Sequence, residues 1–147
     1  MKYTDAADAG HFRITDDGDA RDITAIHEML KEYNLCHREA SANVPIGVFF
    51  EDERNRKLAG LTGETFGNWL CIQFLFVREQ FRGKGIGSRL LEAAEREARR
   101  RGCKYAFVDT FSFQAPEFYK NHGYREVFVL KEYPYTGKRH YYTKELL

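Results

Sequence analysis

Apolar residues recur at three- and four-residue spacing through Ile23, Ile26, Leu30 and Tyr33, which predicts an amphipathic helix over residues 20–35 with Arg21, Glu28, Lys31 and Glu32 on its polar side. Asp16, Asp17, Gly18 and Asp19 stand before it as turn and N-cap residues. Phe12-Arg13-Ile14 alternates apolar with polar and predicts a short strand that feeds this helix. Periodicity then lapses over residues 35–45, a loop or short helix. Apolar runs over 46–50, 57–66 and 69–77, broken by Gly60, Gly63 and Asn68, predict an antiparallel meander. In the last of these, strict alternation groups Leu70, Ile72, Phe74 and Phe76 on one face and Trp69, Cys71, Leu75 and Val77 on the other. Both faces are apolar, so the strand is expected to be central.

After the glycine-rich stretch 78–87, Leu90, Leu91, Ala94 and Ala98 form a helical stripe over residues 88–101. Glu92 with Arg96, Glu95 with Arg99 and Glu97 with Arg101 are placed to pair at i,i+4, and Gly102 ends the helix. A strand over 105–109 terminates in Asp109, a short helix over 115–121 carries Pro116 in its first turn, and strands over 124–130 and 140–145 close the chain. The pattern as a whole predicts one domain over residues 1–147. Its fold class is α/β (α+β): a mixed, mostly antiparallel sheet of about six or seven strands flanked by helices on both faces.

Composition narrows the function. The chain has 147 residues and a formal net charge of +1, which removes the basic excess that duplex nucleic acids select for. Its longest apolar run falls far short of the ~18 residues that signal a membrane span. No secretory or transit pattern occurs in residues 1–10, so a cytoplasmic location is expected. Cys36, Cys71 and Cys103 are odd in number and lack a CxxC pair, and His11, His27, His37, His122 and His140 fall at no metal or triad spacing. The expectation is reduced thiols, no metal, and histidines in surface or loop roles.

Chemistry concentrates between the apolar strand and the helix that follows, in Phe81-Arg82-Gly83-Lys84-Gly85-Ile86-Gly87-Ser88-Arg89. At a helix start, unpaired N–H groups converge with the positive end of the dipole, and glycines let an anion approach them. Arg78, Arg82, Lys84 and Arg89 add local positive charge, so an anionic ligand is expected. A Walker A loop fails because Gly85 follows Lys84, and a dinucleotide fingerprint fails because Ser88 stands where glycine is required and the preceding strands are antiparallel.

Arg82-x-x-Gly85-x-Gly87 resembles the pyrophosphate-loop signature of the Gcn5-related N-acetyltransferase (GNAT) superfamily. The likeness extends through the order of elements and through Ala115-Pro116-Glu117-Phe118-Tyr119-Lys120-Asn121-His122-Gly123-Tyr124, which is similar to the family's Ala-x-x-Phe-Tyr-x-x-x-Gly-Phe segment. One position departs: Ser112 stands where many members carry a cofactor-binding Asn. The resemblance implies an acetyl-CoA-dependent N-acetyltransferase in which an amine attacks the thioester directly. Phe76 and Val77 would contact the pantetheine arm, and Arg82, Gly83, Lys84, Gly85, Ile86, Gly87 and Ser88 would hold the pyrophosphate. Tyr119 would protonate the leaving thiolate, since a phenol with pKa about 10 is a proton donor at neutral pH. Glu64 and Asp109 are the candidate bases for the acceptor ammonium, with Gln73 able to orient a water. The acceptor is expected to be a small-molecule amine, with a protein or peptide amine or a non-catalytic CoA-binding module as the alternatives. The closing aromatics Phe128, Tyr133, Tyr135, Tyr141 and Tyr142 suggest a homodimer.

Overall fold

The structure is a computed structural model that describes residues 6–37, 39 and 42–147. They divide into two compact units, residues 1–40 and 41–147, described separately below. In the first, a 3-10 turn over Ala6–Ala9 precedes helix α1, Ala20–Leu35. Asp19 caps α1: its carboxylate accepts the Arg21 backbone N–H at 2.8 Å. The strand expected over 12–14 does not form, and residues 11–15 are coil. Three alternating residues supply only a few main-chain groups and have no partner strand among the described residues of this unit, so alternation alone does not make a strand. Of the loop expected over 35–45, Leu35 ends α1 and Cys36 and His37 form a turn, while residues 38, 40 and 41 lie outside the described residues.

The second unit contains β1 (Asn43–Glu51), β2 (Lys57–Phe66), β3 (Trp69–Val77), α2 (Ile86–Arg100), β4 (Tyr105–Phe111), α3 (Pro116–Asn121), β5 (Arg125–Lys131) and β6 (Lys138–Glu145). They build a six-stranded sheet in the order β1-β2-β3-β4-β6-β5, antiparallel except where β3 meets β4. This is the mixed, mostly antiparallel sheet the sequence predicts. Leu90, Leu91, Ala94 and Ala98 of α2 are all buried against Leu61, Leu70, Ile72, Ala106 and Val108. Full burial of a residue such as Leu61, Leu70 or Leu91 contributes about 1.5–3 kcal/mol. Gly102, at φ +90°, ends α2 with its N–H on the Arg99 carbonyl and the next N–H, from Cys103, on the Ala98 carbonyl, both at 2.9 Å. The two helices of this unit, α2 and α3, share one face, where Tyr119 stacks on Tyr142 and Tyr124 hydrogen-bonds Glu95.

Two expectations are corrected here. Of the three i,i+4 pairs, Glu97 meets Arg101 at 2.9 Å, but Glu95 is 3% exposed and takes Lys144 at 2.9 Å and the Tyr124 hydroxyl at 3.0 Å instead of Arg99. Glu95 lies inside the apolar stripe, so its partners come from β6 and from the residue before β5, not from the solvent side of the helix. The faces of β3 also change. Thr62 pairs with Phe74 and Gly63 with Ile72, so Gln73 is a bulge and the alternation inverts after it. Leu70, Ile72, Leu75 and Val77 therefore face α2, and Trp69, Cys71, Phe74 and Phe76 face away. Gly63 permits this arrangement, because a Cβ there would lie 2.1 Å from the Cys71 carbonyl oxygen. Among the described residues, no helix is long and apolar enough to cross a membrane.

Candidate active site

The center of the sheet opens. Pairing between β3 and β4 covers Trp69–Ile72 against Tyr105–Val108 and stops there. Beyond it β3 runs on along β2 to Val77, and β4 runs along β6 to Phe111, two residues past the expected end at Asp109. A V-shaped gap lies between the facing edges of Gln73–Val77 and Asp109–Phe111, which have lost their common ladder.

The glycine-rich loop stands at the mouth of this gap. Gly83 and Gly85 hold φ of +74° and +78°, conformations that side chains rarely adopt. Gly85 is the N-cap of α2, with no side-chain cap and no acidic residue in the first turn. Among the described residues, the main-chain N–H groups of residues 83–88 have no acceptor; the first helical bond is Arg89 N–H to Gly85 C=O at 3.1 Å. Gly87 packs closely, since a Cβ there would meet the Phe118 ring at 3.4 Å. Arg82 is turned back on β3: its Nε donates to the Val77 carbonyl at 2.9 Å and its guanidinium lies over the Phe76 ring at 5.4 Å. Phe76, Val77 and the loop thus form one surface. Lys84 lies over Phe81, and the Ser88 hydroxyl reaches His122 Nε2 at 2.9 Å, tying α2 to α3 and leaving the Ser88 N–H free.

Tyr119 projects from α3 into the core with its ring against Phe118, Tyr124 and Tyr142. The residue is 6% exposed, yet its hydroxyl has no hydrogen-bond partner among the described residues and is not sealed from solvent. Burial, then the nearby Asp109 charge, pushes the phenol up to about 12, so it remains a proton donor across the neutral range.

Glu64 and Asp109 lie on the face away from α2. Glu64 accepts from the Asn43 side chain at 2.9 Å and lines an open groove with Phe66, Trp69, Cys71, Phe107 and Tyr141. Burial first, then the charges of Glu64 and Asp109, pushes the Cys71 thiol up, so both carboxylates act near the same spot. Asp109 is already engaged: one carboxylate oxygen accepts from Arg139 Nε at 2.7 Å and Nη2 at 2.6 Å. Arg139 is in turn enclosed by the rings of Phe111, Tyr133 and Tyr141. Gln73, as the bulge residue, lies where the gap begins. The structure thus brings together Phe76, Val77, Arg82 and the loop, and places the two carboxylates on the opposite side of the sheet from the Tyr119 ring. His140, expected in a surface or loop role, sits on β6 between Ser112 and Glu126, an arrangement that only the β4–β6–β5 register reveals.

An open central sheet, a donor-lined helix entrance and a buried phenol beside it define the acetyltransferases of the GNAT class, and the chain belongs to that family: the family model "Acetyltransferase (GNAT) domain" matches residues 45–126. It is an acyltransferase. Among curated relatives it is 37% identical to Acetyltransferase Atu2258 of Agrobacterium fabrum over 80% of this chain and 85% of that one. It is 41% identical to the Blasticidin-S acetyltransferase of Streptomyces morookaense over 64% of this chain and 70% of that one. A crystal structure of an acetyltransferase from Bacillus cereus superposes with a TM-score of 0.80 at 32% identity, covering 90% of this chain and 97% of that chain.

Proposed function

We propose that the protein, read as one acetyltransferase domain over its whole chain, transfers an acetyl group from acetyl-CoA to a primary amine of a small molecule. The observation that carries this reading is the run of acceptor-free N–H groups over residues 83–88 at the mouth of the β3–β4 gap. Such a run, at the positive end of α2 and beside Arg82 and Lys84, fits the pyrophosphate of a CoA thioester. The facing edges of Phe76–Val77 and Asp109–Phe111 suit an extended amide-bearing arm, which can hydrogen-bond there as a strand would. The bound thioester supplies the activated acetyl group. Tyr119 then donates its proton to the departing thiolate, a role its unpartnered hydroxyl suits. A small-molecule acceptor is supported by the relative named for blasticidin S.

The test is thiol release from acetyl-CoA against a panel of blasticidin S, simple primary amines and amine-bearing peptides, alongside calorimetry of CoA. Turnover with small amines and CoA affinity in the micromolar range are expected. Peptides acetylated in preference to every small amine would overturn the acceptor class, and absence of CoA binding would overturn the donor.

A further inference from the structure

Three side chains from three separate elements form a hydrogen-bonded chain at the open end of β4. Ser112, next after β4, places its Oγ 3.2 Å from Nε2 of His140 on β6, and Nδ1 of the same ring lies 2.6 Å from Oε1 of Glu126 on β5. A carboxylate oxygen only accepts, so Nδ1 carries the ring proton and Nε2 of the neutral imidazole presents a lone pair toward Ser112. The Ser112 hydroxyl is exposed and also lies 3.3 Å from the Lys138 carbonyl oxygen. It has an acceptor in either state of the ring: it donates to Nε2 when His140 is neutral, and to the carbonyl when Nε2–H donates to it.

We propose that Ser112, His140 and Glu126 are the proton-accepting relay of the transfer reaction, a role that rests on the acetyl-transfer reading above. The acceptor ammonium first gives a proton to Ser112 Oγ while the Ser112 proton passes to His140 Nε2; the neutral amine then bonds to the acetyl carbon, the thiolate leaves with the Tyr119 proton, and the second surplus proton on nitrogen returns to the Tyr119 oxygen. The amide nitrogen is left neutral, and the imidazolium is paired with the Glu126 carboxylate. Position supports the assignment. Ser112 directly follows the β4 edge that has left β3, and the His140 ring is stacked over Tyr142 at 6.1 Å, which is stacked over Tyr119 at 6.2 Å. The relay and the proton donor therefore occupy one row of rings. The two carboxylates expected from the sequence lack these features: Asp109 is committed to Arg139, and Glu64 is held by Asn43 on the other face.

The charged and titratable groups around His140 are Glu126 on β5, Tyr142 beside it on β6, and Lys120 with Glu117 on α3, which act through space on Glu126 and Tyr142. His140 is the group among them with a free lone pair reaching the surface through a hydroxyl.

Two measurements test the relay. Nitrogen-15 NMR of the imidazole, on the protein alone, is expected to show the Nδ1–H tautomer for neutral His140; an Nε2–H tautomer overturns the proposal. Steady-state kinetics follow, with the best amine of the panel. His140→Gln is expected to lower kcat by roughly 10²-fold at neutral pH, the scale of a positioned base. That deficit should narrow severalfold toward pH ~10, where an alkylammonium deprotonates without help. Glu126→Gln, which keeps the shape and removes the charge, should show the same pH-dependent narrowing with a smaller deficit. A merely structural histidine loses the same factor at every pH, and that result, or wild-type rates in both variants, overturns the relay while leaving acetyl transfer in place. If the wild-type protein acetylates no amine, the acetyl-transfer reading fails and the relay falls with it.

Discussion

Replacing Tyr119 by Phe removes one oxygen from the center of the proposed mechanism and almost nothing from the fold. The ring is held by Phe118, Tyr124 and Tyr142 at centroid distances of 5.2, 5.7 and 6.2 Å, contacts that phenylalanine keeps. The hydroxyl has no partner among the described residues, so its loss strands no buried donor or acceptor there. Stability should change by less than the ~0.5–1.5 kcal/mol of an ordinary hydrogen bond. The rate should behave otherwise. A positioned acid is worth roughly 10²- to 10⁴-fold, or about 2.7–5.5 kcal/mol of barrier, so kcat should fall by that factor. CoA affinity should stay within about twofold, because the donors over residues 83–88 are untouched. The assay is thiol release under steady-state and single-turnover conditions, with urea unfolding in parallel. Near-wild-type kcat with chemistry rate-limiting would remove Tyr119 from the mechanism, and a stability loss well above 1.5 kcal/mol with full activity would make it a packing residue.

Gly85→Asp places a side chain at φ +78° and a negative charge on the anion site, so calorimetry should show CoA affinity reduced at least about tenfold with the fold retained by circular dichroism; unchanged affinity refutes the site. Glu95→Ala leaves the Lys144 ammonium and the Tyr124 hydroxyl without their buried partner and should cost about 3–5 kcal/mol in urea unfolding; a loss below about 1 kcal/mol refutes the buried triad. At alkaline pH the sign is fixed by Tyr119, pushed up to about 12 when folded but ordinary at about 10 when unfolded. The unfolded chain ionizes first, so this stability is present below pH ~10 and is lost as pH rises toward 12; Tyr119→Phe should flatten that decline, and identical alkaline profiles would contradict it. Exposed Val127 and Phe128 on edge strand β5 suit a second copy of the chain, so light scattering at micromolar concentration should give a dimer mass, and a monomer mass of 17.2 kDa would exclude it.

Much of the fold is legible where local pattern and tertiary context agree. The helix over 20–35 and the strands over 57–66 and 69–77 have the predicted bounds, because caps, turn residues and alternation all point to the same ends. Elsewhere the ends move for nonlocal reasons. β1 begins at Asn43, since Asn43 to Pro45 pair with Phe66 to Glu64, and α2 begins at Ile86 because Gly85 caps it from a left-handed conformation. Residues 12–14 show the reverse case, a local pattern with no partner strand among the described residues. Of the closing aromatics that suggest a homodimer, Tyr142 is fully buried and Tyr133 and Tyr141 surround Arg139, whereas Phe128 and Tyr135 are exposed.

The site is legible in proportion to how local it is. The loop from Arg82 to Ser88 is a single stretch of chain whose glycines encode their own backbone geometry, so its donors could be anticipated from its place at a helix start. A proton acceptor has no such signature, because it depends on what stands opposite it two strands away. One bulge at Gln73 reverses the side of the sheet that Phe74 and Phe76 occupy, and one register slip between Glu126 and Phe128 separates residues facing the Glu126–His140 side from those facing the Tyr141 side. A strict alternation carried through either slip puts the later residues on the wrong face. Asp109 shows the same dependence, since its availability as a base is decided by Arg139, thirty positions away, whose two N–H groups meet one of its oxygens. Residue type nominated Glu64 and Asp109 as bases; pairing across the sheet commits Asp109 to Arg139 and brings His140 of β6 within reach of both a carboxylate and a hydroxyl.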